Sequence, residues 1–92
     1  KIHGLDEVKV TAVARDVAKR ALTLAGTGGV QVVGPAPAPI GRIRGQFRWQ
    51  VLLRGPHGNA VRAIARELLA GQPRGRRVEV RVEADVDPQN LL

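Results

Sequence analysis

The stretch Gly34–Gly55 reads GPAPAPIGRIRGQFRWQVLLRG, and its two halves obey different rules. Phe47, Trp49, Val51 and Leu53 alternate with Arg48, Gln50, Leu52 and Arg54, the period-2 pattern of a strand with one buried face. Pro35, Pro37 and Pro39 lack an amide donor, which excludes PAPAP from a central strand and predicts an extended, polyproline-like arm carrying Arg42 and Arg44. Phe47 and Trp49, the only aromatic residues of the chain, share a face with Val51 and Leu53 and read as core anchors.

On the C-terminal side, GPHGN is a turn and Asn59 is the expected cap of a helix. Val61, Ile64, Ala65, Leu68 and Leu69 fit the i, i+3, i+4, i+7, i+8 stripe, and Gly71 suits the position after the last turn. QPRGRR is a basic loop, and VEVRVEADV is a last strand with Val78, Val80, Val82, Ala84 and Val86 on one face. On the N-terminal side, VQVVG is a short second strand that ends at Pro35. Val8, Val10, Ala12 and Ala14 alternate with Lys9, Thr11 and Val13, which predicts the first strand. Asp16 then caps a helix through Ala25, with Val17, Ala21, Leu22 and Leu24 inward and Gly26 ending it.

The order is β α β β α β. It predicts an α+β domain of ferredoxin-like split βαβ type: two helices on one face of a four-stranded sheet, with a long basic Pro-rich arm between strands 2 and 3. KIHGLDE at residues 1–7 has no usable periodicity and is expected to be a poorly defined segment before a single domain of residues 8–92. A chain of 92 residues supports one modest core, and this one is built mostly from Val, Ala and Leu, which leaves little room for a deep ligand pocket. Because the chain opens at Lys1 without Met, it is expected to be a piece of a larger protein. No apolar run approaches a membrane helix and no signal peptide is visible, so a non-membrane, cytoplasmic chain is expected.

The chemistry that can be excluded is broad. Without cysteine there are no disulfides or thiolate metal sites, and His3 and His57 alone are too few for a zinc site. GTGG follows a helix instead of opening one, and no Walker-type phosphate loop occurs. There is no serine, the three threonines have no recognisable base, and Asp85 and Asp87 have no third partner nearby, so no catalytic residue, metal or cofactor is assigned. An acylphosphatase would need an Asn on the third strand, and FRWQVLLR has none. An RNA-recognition platform would need an aromatic where Gln46 stands and another in VKVTAVA.

What remains is charge. The net charge is +7, and Gly34–Arg77 holds nine arginines against Glu67 alone, a balance of +8, leaving −1 for the rest of the chain. Such segregation points to a polyanion. Arg42, Arg44, Arg48, Arg54, Arg74, Arg76 and Arg77 are the candidate nucleic-acid-binding residues, suited to tracking a phosphate backbone without reading bases. Arg62 and Arg66 lie one turn apart on the second helix.

VVGPAPAPI (Val32–Ile40), GRIRGQFRWQVLL (Gly41–Leu53) and DVDPQNLL (Asp85–Leu92) together resemble the C-terminal domain of primosomal protein N′ (PriA), a bacterial replication-restart helicase family. The likeness covers roughly residues 8–92, while KIHGLDE departs from the Tyr-Pro-Pro type segment expected there. The resemblance implies a split βαβ fold in a bacterial, nucleoid-associated parent whose motor lies outside this chain. It also implies binding of branched or single-stranded DNA, and docking of the acidic tail of single-stranded DNA-binding protein near Gly58 and Arg62, which makes Arg62 and Arg66 the candidate protein-docking residues. The alternative expectation is a module that binds that tail with little DNA contact.

Overall fold

A computed structural model describes residues 1–73, 75 and 78–85. Its elements are β1 (Ile2–Gly4), α1 (Glu7–Ala25), β2 (Gln31–Ile43), β3 (Gln46–Arg54), α2 (Gly58–Ala70) and β4 (Val80–Val82). The sheet order is β2-β3-β1-β4 and every pairing is antiparallel. β1 and β2 therefore run the same way with β3 between them, and α1 makes the connection. The α+β class and the order β α β β α β agree with the sequence reading.

The first strand and first helix do not lie where the sequence pattern placed them. Residues 8–14 are helical: α1 begins at Asp6, whose extended backbone (φ −106°, ψ 113°) and carboxylate, accepting from the Lys9 amide at 3.1 Å, make it the N-cap. Glu7 adds a carboxylate in the first turn, where the helix dipole favours it. Val10, Ala14, Val17, Ala18, Ala21 and Ala25 form the buried stripe. The alternation of Val8, Val10, Ala12 and Ala14 spans two turns of that helix by coincidence, for Val8 is 76% exposed. Asp16 is an exposed mid-helix residue, not a cap.

The strand displaced from 8–14 lies in residues 1–7, which are not the poorly defined segment expected. β1 lies between β3 and β4, pairing Ile2, His3 and Gly4 with Trp49, Arg48 and Phe47 on one side and with Val82, Arg81 and Val80 on the other. Gly4 is required by close approach, since a Cβ there would stand 2.5 Å from the Glu79 carbonyl oxygen. β4 is shorter than the expected strand of 78–86, and Val86 lies outside the described residues.

The proline segment is an edge strand, not a free arm. β2 continues through Pro35, Pro37 and Pro39 to Ile43, paired with β3 on one side only. Register shifts between Val33 and Ala36 and between Pro37 and Arg42 absorb the missing donors. An edge strand tolerates proline because its other side needs no ladder, and the prolines discourage pairing with another chain. The hairpin closes through Arg44 (φ 52°) and Gly45 (φ 79°), two left-handed residues in a two-residue loop.

Both helices pack on the inward face of the sheet. Val17, Ala21 and Ala25 of α1 meet Ile64 and Leu68 of α2 over Val32, Val51 and Leu53. Ile2, Val10 and Ala14 form a second cluster against Phe47, Trp49, Val80 and Val82. The alanines let α1 approach the sheet closely. α2 is capped by the backbone of His57 instead of the side chain of Asn59, whose Oδ1 accepts from Arg62 Nη2 at 2.7 Å. At its other end the Gly71 amide donates to the Glu67 carbonyl, which also accepts from Arg20 of α1 at 3.4 Å.

Ile2 is 1% exposed. Ile2→Ala is expected to cost about 2–5 kcal/mol in urea unfolding, where an unstructured residue would cost nothing. Arg44→Asn, which suits the left-handed turn position better, is expected to raise the urea midpoint by the equivalent of about 0.5–1 kcal/mol.

Candidate nucleic-acid interface

Because α1 and α2 cover one face, the alternate residues of each strand form an open face. β3 contributes Gln46, Arg48, Gln50, Leu52 and Arg54, since Phe47, Trp49, Val51 and Leu53 are turned to the core. β1 contributes His3 and β4 contributes Arg81. The registers His3↔Arg48 and His3↔Arg81 align these three in one row across the sheet. Directly opposed residues in such a ladder share a face.

The row is held by polar contacts. His3 Nδ1 lies 2.9 Å from Gln46 Oε1, and His3 Nε2 lies 3.5 Å from Glu83 Oε1. Arg48 Nη1 donates to the Ile40 carbonyl at 3.5 Å, and Arg81 Nη2 donates to the Gly75 carbonyl at 3.2 Å. Lys1 pairs with Asp85, and that contact holds the Asp85 carboxyl below its usual range. Beside the row, Lys9 Nζ meets Glu79 Oε2 at 2.5 Å, a hydrogen bond that raises the lysine above its usual value. The face thus carries Arg48, Arg81, Arg54 and the turn residue Arg44 against Glu83 and Asp85. Arg44 and Arg48 line one shallow depression together with His3 and Gln46.

The sequence-derived arginines separate into groups. Arg44 and Arg48 come together, and Arg54 lies on the same face of β3, about 20 Å farther along at roughly 3.4 Å per residue. Arg42 leaves the group: it opposes Phe47, and its guanidinium carbon stands 5.0 Å above that ring. Arg62 and Arg66 are on α2, in the helix layer, with Arg62 engaged by Asn59 and Arg66 exposed. Arg74, Arg76 and Arg77 lie outside the described residues. Sequence reasoning did not select Lys1, His3 or Arg81. The alternation of Val80, Arg81 and Val82 was a signal for Arg81, whereas His3 sits in a strand only three residues long, too short to show a period.

With Phe47 and Trp49 turned to the core, the described residues of this surface offer cations, amides and the His3 imidazole. Among the described residues, no helix is long and apolar enough to cross a membrane.

The sequence matches the family described as Primosomal protein N C-terminal domain over residues 1–89. The match includes β1, so the opening residues belong to the domain. Two curated proteins named Replication restart protein PriA are similar to it. The one from Haemophilus influenzae is 40% identical over 63 residues, covering 68% of this chain and 8% of that protein. The one from Treponema pallidum is 41% identical over 66 residues, covering 70% of this chain and 9% of that protein. The chain therefore corresponds to less than a tenth of the length of these relatives. No solved structure matches it. With a family match spanning nearly every residue, from β1 past the end of β4, the chain belongs to the PriA C-terminal domain family.

Proposed function

We propose that this domain is a non-catalytic DNA-binding and docking module of a bacterial replication-restart protein, holding branched or single-stranded DNA by its phosphates. The observation that carries the reading is the row Arg48–His3–Arg81 on the open sheet face, with Arg44 beside it. Guanidinium groups offer bidentate donors to phosphate, and contacts of this kind position a nucleic acid without reading its sequence. Membership of a family named for primosomal protein N agrees with a nucleic-acid role. Arg54, farther along the same strand, extends the footprint.

The helix layer supports a second, separate contact. Arg62 and Arg66 are one turn apart on α2, away from the open face, and suit an acidic peptide such as the tail of single-stranded DNA-binding protein.

If Arg44, Arg48, Arg54 and Arg81 each meet a phosphate, the affinity for a single strand falls about fiftyfold between roughly 50 and 200 mM salt, following a log–log slope near −2.8. Replacing Arg48 and Arg81 by Ala is expected to halve that slope. Fluorescence anisotropy with fork and single-stranded oligonucleotides measures both, and binding indifferent to salt would refute the phosphate reading. For the tail contact, Arg62→Glu is expected to weaken binding of the tail peptide at least tenfold while changing DNA affinity less than twofold, read by titrating each ligand separately.

A further inference from the structure

A shallow depression on the open face meets a second one at the margin of the sheet, where β1 leads into α1, and their common wall is the hydrogen-bonded pair His3–Gln46. The first, about 370 Å³, is bordered by Lys1, Ile43, Arg44, Arg48 and Glu83 as well as by that pair. The second, about 380 Å³, runs from the pair to Leu5, Asp6, Lys9, Val78, Glu79 and Arg81. Both volumes lie at the small end of the range for ligand sites, the scale of a nucleotide fragment.

The two depressions differ in chemistry. In the first, two guanidiniums and Lys1 face a single carboxylate, which favours an anion. In the second, Lys9 and Arg81 are balanced by Asp6 and Glu79, and several of these groups already satisfy one another: Lys9 binds Glu79, Asp6 accepts from the Lys9 amide, and Arg81 donates to Gly75. Among the described residues, the second depression still offers a second carboxylate oxygen on Asp6 and on Glu79, with Leu5 and Val78 as apolar flanks. Such a surface suits a flat, neutral group with hydrogen-bonding edges.

We propose that one unstacked nucleotide of single-stranded DNA lies across the His3–Gln46 pair, its phosphate against Arg44 and Arg48 and its base in the depression of Leu5, Asp6, Val78 and Glu79. This deepens the reading of the open face as a DNA-binding surface and rests on it. A duplex keeps its bases stacked behind two backbones, so it meets the arginines without filling the second depression. A single strand can splay a base into it. The site therefore distinguishes strand state through the pair between the depressions and binds either form through Arg48.

The test uses the 92-residue chain and two labelled probes of equal length, a 12-nucleotide single strand and a hairpin duplex, followed by anisotropy at low salt. Gln46 sits on the outward face of β3 and its side chain bonds to His3, so Gln46→Ala leaves the core contacts in place. Gln46→Ala is expected to weaken single-strand binding about three- to tenfold with duplex binding unchanged, the size of one lost hydrogen bond. Arg48→Ala is expected to weaken both. Photocrosslinking of a strand carrying a halogenated uracil should label residues 5–9 or 78–81. Equal loss on both probes, no loss, or labels elsewhere would overturn the nucleotide site while leaving the DNA-binding surface standing. A chain that binds neither probe would remove both.

Discussion

The insertion of β1 between β3 and β4 is the constraint on which the rest of the domain depends. It is three residues long, and all three are used: Ile2 fills the inner cluster with Val10 and Ala14, Gly4 lets the backbone pass the Glu79 carbonyl, and His3 faces the open side. Without β1, β4 has no partner among the described strands and the N-terminal half of α1 loses Ile2, the largest fully buried side chain it packs against. Edge-to-edge pairing cannot substitute, because β3 and β4 are joined only through β1.

The same strand builds the candidate site. Arg48 and Arg81 are 33 residues apart in sequence and become neighbours of one residue, His3, because antiparallel pairing on both sides of β1 places direct partners on the same face. The helices take the other face, so this row is left to solvent. Inward placement of Phe47 and Trp49 then decides the character of the surface: the rings contribute burial to the core, and the outer side is left with cations, amides and an imidazole. An open sheet face of this kind holds charge and hydrogen-bonding edges rather than base planes.

Much of the fold was legible in the sequence, for definite reasons. β3 and α2 were clear because each presents a long run at one period, with Trp49 and Leu53 or Ile64 and Leu68 repeating without interruption. The N-terminal third was misread because small residues are ambiguous: Val8, Val10, Ala12 and Ala14 fit a period of two as readily as part of a helical stripe. The decisive signal was Asp6 followed by Glu7, a helix start ahead of the apolar run rather than inside it. The prolines of β2 were read as breaking the sheet, when an edge position and two register shifts let the strand continue.

By itself the sequence determined the number and order of the elements, the inward placement of Phe47 and Trp49, the basic character of the middle of the chain, and the family. These follow from local periodicity, composition and continuous motifs. Only the tertiary structure decided which cations stand together. Arg44 joined Arg48 through a two-residue turn, Arg42 was drawn to the Phe47 ring, Arg62 and Arg66 were carried to the other layer, and Arg81 and His3 were brought in from the ends of the chain. Strand register is a non-local quantity, set by which inward side chains pack together, and no spacing within the chain encodes it.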